Sequence, residues 1–151
     1  PTGKHIPSLI ALVEGVEGFA IHRTYLQLDG SAKTQVSPSK AMLGKVSGGA
    51  VRLTSRGNSL VVTEGIETAL SLSSGLLDFP ATIWAALSTS GLQGLKLPET
   101  ASNLIIASDG DAEGRKAAYK LALRAEMSGW QVSFLDAPEG HLGSLGTPRS
   151  L

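Results

Sequence analysis

Residues 60–65 read Leu-Val-Val-Thr-Glu-Gly, and residues 103–111 read Asn-Leu-Ile-Ile-Ala-Ser-Asp-Gly-Asp. Each stretch is a short apolar run, rich in β-branched residues, that ends in acidic residues next to a glycine. Short apolar runs bounded by turn residues are typical of strands buried on both faces of a parallel sheet. The two stretches therefore predict two such strands, each with carboxylates at its carboxyl end.

The segments around these strands alternate between helical and extended patterns. Apolar residues recur at helical spacing in residues 66–77 and 112–128. Residues 81–87 and 130–135 predict two further strands, and residues 88–94 predict a Ser/Gly loop. Strands that alternate with helices predict an α/β fold of the Rossmann-like kind, in which helices cover both faces of a parallel sheet.

The first half of the chain has a different pattern. Residues 19–28 alternate apolar and polar side chains, and the Asp29-Gly30 pair that follows is a strong hairpin signal. Residues 5–55 therefore predict a small, mainly antiparallel β unit. Three regions are expected: a β-rich subdomain over residues 1–58, the α/β domain over residues 59–140, and a flexible tail over residues 141–151.

Composition excludes several classes of protein. Hydrophobic residues make up 42% of the chain and charged residues 17%, which excludes a disordered chain. The absence of cysteine excludes disulfides and thiolate zinc sites, and His5, His22 and His141 lack zinc-site spacing, so surface or turn positions are expected for them. No run approaches the ~20 apolar residues of a membrane helix. We expect a cytoplasmic fragment of a larger protein, since no start Met or signal-peptide pattern is present.

Charge is unevenly distributed along the chain. Residues 1–59 carry a net charge of +4 and residues 60–151 a net charge of −4. The positive charge of the first half indicates contact with a polyanion, and the alternative is that the charges are distributed by chance.

The acidic residues at the two strand ends are candidate metal ligands. The carboxyl ends of parallel strands meet at one sheet edge, where ligands bind in open α/β folds. Mg²⁺ prefers carboxylate and water oxygens, which Glu64, Asp109 and Asp111 would supply, and Gly110 would let the backbone turn between the two aspartates. The alternative is structural, because Asp111 also fits a helix N-cap and Glu67 fits a first helical turn.

Basic residues are candidates for contact with phosphate. Arg115 and Lys116 open the second predicted helix beside the acidic pair, where they would touch a nucleotide phosphate or pair with neighbouring acids. Arg23, Lys45 and Arg52 lie in the basic half, and a solvated β-face is the alternative for them.

These motifs together resemble the Toprim family, which bacterial-type primases, type IA and type II topoisomerases, overcoming-lysogeny nucleases and RecR-like repair proteins share. Residues 60–69, Leu-Val-Val-Thr-Glu-Gly-Ile-Glu-Thr-Ala, and residues 105–115, Ile-Ile-Ala-Ser-Asp-Gly-Asp-Ala-Glu-Gly-Arg, resemble the primase-like Toprim domain of phage and plasmid replication proteins. Upstream similarity extends the resemblance over most of the chain, through residues 22–26, 29–30, 43–44 and 48–53.

The resemblance implies a function and a set of roles. Glu64 would be an acid/base or metal-binding carboxylate, Asp109 and Asp111 would be metal ligands, and Glu67 would be a supporting acid, with Mg²⁺ or Mn²⁺ as the cofactor. The implied reaction is RNA primer synthesis by a DNA primase-like nucleotidyltransferase, with ribonucleotides and a single-stranded DNA template as partners. One departure is the lack of a clear acidic cluster after the last strand, where Asp136 and Glu139 stand alone.

Two alternatives remain open at this stage. One is a Toprim nuclease that hydrolyses phosphodiesters with the same carboxylates, and the other is a non-catalytic, RecR-like DNA-binding module. The chain has neither a phosphate-binding P-loop motif nor a Cys-rich zinc module. Helicase and template-binding functions are therefore expected in other domains of a parent replication protein.

Overall fold

Three antiparallel strands form a small sheet in the computed structural model, which describes residues 5–135 and 149–150. They are β1 (Ser8–Leu12), β2 (Ile21–Tyr25) and β3 (Lys40–Leu43), in that spatial order. The turn after β2 contains Gly30 at a φ of 73°, and Gly30 N donates to Gln27 O at 2.9 Å. An antiparallel sheet in the first half of the chain and a turn at Gly30 are thus confirmed.

Among the described residues, six strands form the larger sheet. They are β4 (Val51–Thr54), β5 (Ser59–Thr63), β6 (Thr82–Ala85), β7 (Asn103–Ala107), β8 (Gln131–Phe134) and β9 (Arg149–Ser150), in the spatial order β4-β6-β5-β7-β8-β9. The four central strands are parallel, whereas β4 and β9 pair antiparallel at the two edges.

Helices cover both faces of this sheet, as the sequence predicts. The helices are α1 (Ile66–Ser71), α2 (Thr89–Gly94) and α3 (Ala112–Met127). Strand residues alternate between two cores: Val62 and Ile106 face α2 and α3, whereas Val61 and Ile105 face α1. The α/β fold class is confirmed.

The segment predicted as a Ser/Gly loop over residues 88–94 is a short helix instead. Ser88 caps α2, because its Oγ accepts from Gly91 N at 3.0 Å. Gly91 also lets the helix begin directly against the end of β6, where a Cβ atom would collide with Ala86 O. Composition alone suggested a loop, but a cap and a close approach made a helix possible.

The first predicted helix, residues 66–77, is interrupted. After Ser71 the chain continues as a π-helical turn, Leu72–Leu76, in which Gly75 has a φ of 110°. Ser73 and Ser74 both donate their hydroxyls to Leu70 O, at 2.8 and 2.7 Å. Serine hydroxyls that bind nearby carbonyls compete with the regular helical ladder.

The small sheet packs on the α1 side of the larger sheet. Leu9, Ala11 and the fully buried Val13 contact the core on that side, whereas Ile10 and Leu12 are exposed. Strand β4, which lies within the predicted 1–58 subdomain, belongs to the larger sheet. The division of the chain near residue 58 stays a prediction.

Two further expectations concern the tail and membranes. Most of the expected tail, residues 141–151, lies outside the described residues, and Arg149–Ser150 within it pair with β8. Among the described residues, no helix is both long enough and apolar enough to cross a membrane.

Candidate metal centre

The predicted acidic residues follow two neighbouring parallel strands. Strand β5 pairs with β7 so that Thr63 lies opposite Ala107, and Glu64 and Asp109 follow within two residues of these ends. The helix after β5 lies on one face of the sheet and the helix after β7 on the other. The chain therefore diverges between these strands, which is the position where open α/β sheets form a ligand-binding crevice.

The backbone at Glu64 is held by the neighbouring strand end. Leu87 N donates to Glu64 O at 2.7 Å, and Thr63 Oγ1 donates to Gly65 O at 2.8 Å. Leu87 is buried and has a φ of 76°, which is rare for a residue other than glycine. Such strained conformations concentrate at functional sites. Nothing in the sequence signals this role of Leu87.

Gly114 lies where the carboxylates come together. A Cβ atom built on Gly114 would be 3.1 Å from Glu64 Oε2, 3.1 Å from Asp111 Oδ1 and 2.6 Å from Asp109 O. Because Glu64 Oε2 and Asp111 Oδ1 each lie 3.1 Å from this one point, the distance between the two oxygens is no more than twice that value. The glycine is needed here because any side chain would displace the acidic groups or the backbone between them.

Gly110, by contrast, does not have the role that the sequence suggested. Its φ lies outside the left-handed region, and a Cβ atom at Gly110 would meet no atom within 4 Å. The turn between the two aspartates therefore does not require glycine. The glycine that the site requires is Gly114 rather than Gly110, and the local sequence does not show this because the close approach to Gly114 is a tertiary contact.

Glu64 is in an unfavourable electrostatic position. Its Oε2 atom is buried and has no hydrogen-bond partner among the described residues. Burial raises the pKa of Glu64, the charges of Asp109 and Asp111 raise it further, and Lys40 opposes them. A cation would stabilise a buried carboxylate oxygen that lacks a hydrogen-bond partner and lies beside other acidic residues, and an all-oxygen donor set suits Mg²⁺ or Mn²⁺. These residues fit a hard divalent ion.

Asp111 also has the structural role that was left open as an alternative. It is the N-cap of α3, and its Oδ1 accepts from Gly114 N at 2.6 Å. Among the described residues, no group of three or more His, Cys, Asp or Glu side chains is arranged so that it could hold a metal ion. The ligand roles of Glu64, Asp109 and Asp111 stay predictions.

Glu67 is placed between two lysines. Lys33 Nζ lies 2.6 Å from Glu67 Oε1, and Lys40 Nζ lies 3.3 Å from the same oxygen. Burial raises the pKa of Glu67, but hydrogen bonding and the positive charges of Lys33 and Lys40 lower it to about 2. Glu67 is therefore an ion-pair partner of the small sheet, a contact that its spacing from Glu64 does not reveal. Its predicted part in metal binding stays a prediction.

The predicted basic residues occupy two kinds of position. Arg115 lies at the acidic motif, where it donates to Gly110 O, and Lys116 beside it is exposed. The other three lie elsewhere: Arg23 is over the ring of Tyr25, Arg52 is over the ring of Trp84, and Lys45 is exposed after β3. Within residues 5–135, no hydrogen bond or ion pair joins these three to Glu64 or the aspartates.

His22 is buried, contrary to the sequence prediction. It was expected at the surface or in a turn, yet it is buried in β2 with 1% of its surface exposed. The alternating pattern of residues 19–28 contains the signal, because His22 and Thr24 share a face that packs inward. Asp136, Glu139 and His141 lie outside the described residues.

Comparisons with known proteins place this site in a family. Residues 59–142, more than half of the chain, match the Toprim domain model. Residues 1–53 match a domain of unknown function (DUF7146). A search of curated proteins finds no match. The strand-end carboxylates all fall within the first match, and the chain belongs to the Toprim domain family.

Proposed function

We propose that this chain is the catalytic Toprim portion of a DNA primase-like nucleotidyltransferase of phage or plasmid type. It would join ribonucleotides on a single-stranded DNA template. Membership of the Toprim family indicates a metal-dependent activity related to nucleic acids. The observation that carries the proposal is the meeting of Glu64 with Asp111 and the Asp109 backbone around Gly114.

Asp109 and Asp111 are the proposed metal ligands, with Glu64 facing them. Asp109 is exposed at the end of β7 and can turn toward an ion, whereas Asp111 is fixed by its capping bond to Gly114 N. A bound Mg²⁺ or Mn²⁺ would neutralise phosphate charge and align the attacking oxygen. The fixed cap and the Leu87 bond to Glu64 hold the two sides of the site in place.

Glu64 is the proposed proton acceptor as well as a metal-facing carboxylate. Its pKa is raised by burial and by the neighbouring acids, which moves it toward the range useful for general base or acid catalysis. In primer synthesis the group to be deprotonated is the attacking 3′-hydroxyl. Oε2, which has no other hydrogen-bond partner in the described residues, is the oxygen that would receive that proton.

Primer synthesis tests the proposal directly. The chain, with the remainder of its parent protein where needed, is incubated with a single-stranded DNA template, ribonucleotides and Mg²⁺. We expect short RNA products that disappear in the Asp109→Asn and Glu64→Gln variants and persist in the Lys120→Gln variant, because Lys120 is exposed on α3 and donates to Gln93 of α2. Full activity in both acidic variants would contradict the proposal.

Two controls separate the alternatives. Labelled DNA cleaved with Mg²⁺ but without nucleotides would identify a nuclease. DNA binding without Mg²⁺ or Mn²⁺ binding in calorimetry would identify a non-catalytic module. A single-stranded DNA template and ribonucleotides are the partners that the primase assignment requires, and a helicase or other domains of a parent replication protein are its expected further partners.

A further inference from the structure

Helix α3 exposes a row of apolar side chains on the side that faces away from the sheet. Tyr119, Leu123 and Met127, here called the apolar ridge, are 51%, 43% and 90% exposed. They recur every four residues, so they are neighbours along one surface of the helix. The residues that α3 buries line its other side: Gly114, Ala117, Ala118, Leu121, Ala122 and Ala125. A surface helix normally has one apolar stripe, which faces the core, and α3 has a second one that faces outward.

A lysine and a glutamate flank the apolar ridge. Lys116 precedes Tyr119 by three residues, and Glu126 follows Leu123 by three residues. Together these four residues have the alternating three- and four-residue spacing of a seam between two packed helices. Both charged side chains are exposed. Within residues 5–135, neither of them forms an ion pair or a side-chain hydrogen bond.

The other basic side chains of α3 are engaged within the chain. Lys120 donates to Gln93 at 3.2 Å, and Arg124 donates to Leu95 O at 2.8 Å, so both are directed toward α2. Arg115 donates to Gly110 O. Lys116 is therefore the basic side chain of this helix that is available to an outside partner along the apolar ridge.

The order of these residues is complementary to itself when the helix is reversed. Tyr119 and Leu123 lie at equal distances along the chain on either side of Leu121, and so do Lys116 and Glu126. In an antiparallel pair of α3 helices with the two-fold axis at Leu121, Tyr119 of each copy faces Leu123 of the other. Lys116 of each copy likewise faces Glu126 of the other, and each contact occurs twice because the interface is symmetric. A parallel pair would instead place lysine on lysine and glutamate on glutamate.

We propose that α3 is a self-association surface, through which two copies of this chain form an antiparallel, two-fold symmetric dimer. Burial of the apolar ridge supplies the attraction, and the two Lys116–Glu126 pairs set the orientation and the register. One helix from each copy makes a small interface, so the dimer is expected to be weak, with a Kd in the micromolar range or above. Asp111 lies outside the overlapping residues, and the inference does not depend on the proposed function.

The oligomeric state tests the proposal. Sedimentation equilibrium is measured on the full chain without nucleic acid, from about 10 µM to about 1 mM, the range in which a weak dimer forms. We expect a mass that rises from monomer toward dimer with concentration. Leu123→Asp places a charge in the centre of the interface and should raise the Kd about tenfold or more. A wild-type chain that stays monomeric throughout, as it would if this helix binds a different protein, would overturn the proposal.

Charge reversal tests the antiparallel register. Lys116→Glu sets carboxylates against Glu126 at both ends of the interface, and Glu126→Lys sets ammonium groups against Lys116, so each variant alone should be monomeric where the wild type is dimeric. The double variant Lys116→Glu/Glu126→Lys should dimerise again. An equimolar mixture of the two single variants should form heterodimers, because one chain then presents only carboxylates and the other only ammonium groups. If neither the double variant nor the mixture recovers the dimer, the register is wrong and the proposal fails.

A matched control separates the interface from the effect of net charge. Asp78→Lys changes the net charge by the same amount as Glu126→Lys, but Asp78 is exposed between residues that pack on the α1 side of the sheet. This variant should dimerise as the wild type does, and thermal unfolding verifies that every variant folds. If Asp78→Lys weakens the dimer as much as Glu126→Lys does, the Lys116–Glu126 pairs do not hold the two copies together and the proposal is overturned.

Discussion

Glu64 and Asp111 each place one carboxylate oxygen 3.1 Å from the same point, the position that a Cβ atom of residue 114 would occupy. The two residues are far apart in the chain, yet they share this space because β5 and β7 are adjacent parallel strands. The site therefore requires the absence of a side chain at residue 114 as much as it requires the carboxylates.

Gly114→Ala is expected to destabilise the protein even though Gly114 lies within α3. Alanine normally stabilises a helix relative to glycine by about 1 kcal/mol, but here the methyl group would meet Asp109 O and both carboxylates. We expect a net loss of roughly 1–3 kcal/mol in urea unfolding, together with weaker Mn²⁺ binding. Gly110→Ala is the matched control and should stay within about 0.5 kcal/mol. Equal behaviour of the two variants would contradict this account of Gly114.

Asp111 has a capping role that asparagine can take over and a proposed metal role that asparagine cannot. Asp111→Asn should keep the stability of the metal-free protein, because asparagine is a good N-cap, whereas Asp111→Ala should lose about 1 kcal/mol. Both variants should lose most of the thermal stabilisation that Mg²⁺ or Mn²⁺ gives. If Asp111→Asn responds to the metal as the wild type does, Asp111 is a cap alone.

Glu64→Gln should stabilise the metal-free fold at neutral pH. The pKa of Glu64 is raised in the folded state, so its ionised form opposes folding once the pH is above that raised value. Removal of the charge should therefore increase the free energy of unfolding measured in EDTA. The same variant should gain less stability than the wild type when Mn²⁺ is added. A variant less stable than the wild type in EDTA would argue against this electrostatic strain.

The Glu67 ion pairs should make part of the stability sensitive to acid. The pKa of Glu67 falls from its ordinary value of 4.5 to about 2 on folding, so its contribution is complete above pH 4.5 and is lost as the pH falls toward 2. The groups are partly exposed, and the contribution is about 1 kcal/mol or less. In urea unfolding between pH 6 and 3, Glu67→Gln should flatten the pH dependence of the free energy of unfolding. Glu113→Gln, at an exposed position in the first turn of α3, should not. Parallel curves for Glu67→Gln and the wild type would rule out this contribution.

Local patterns were sufficient for most of the fold. The apolar run before Glu64 and the one before Asp109 each became a parallel strand, because a continuous apolar run can be satisfied only by burial on both faces. The hairpin around Gly30 formed where Asp-Gly predicted it. The helix α2 was missed because its stability comes from the Ser88 cap and the contact of Gly91 with the strand end, neither of which composition expresses.

The candidate site, too, was predictable from the sequence only in part. The residue types at the strand ends indicated hard-cation chemistry from the sequence alone, since carboxylates at the carboxyl ends of parallel strands converge on one edge. The sequence did not reveal Gly114 as the glycine that makes room, Leu87 as the residue that holds Glu64, or Lys33 and Lys40 as partners of Glu67. Each of these contacts joins distant parts of the chain.

The sequence by itself determined the alternation of strands and helices and the chemical kind of the strand-end residues, because hydrophobic periodicity and side-chain chemistry are local properties. Only the tertiary structure decided which glycine is indispensable, which carboxylate oxygen lacks a hydrogen-bond partner among the described residues, and which lysines pair with Glu67. Those outcomes follow from how closely separate elements pack, and packing distances arise only once the whole chain has folded.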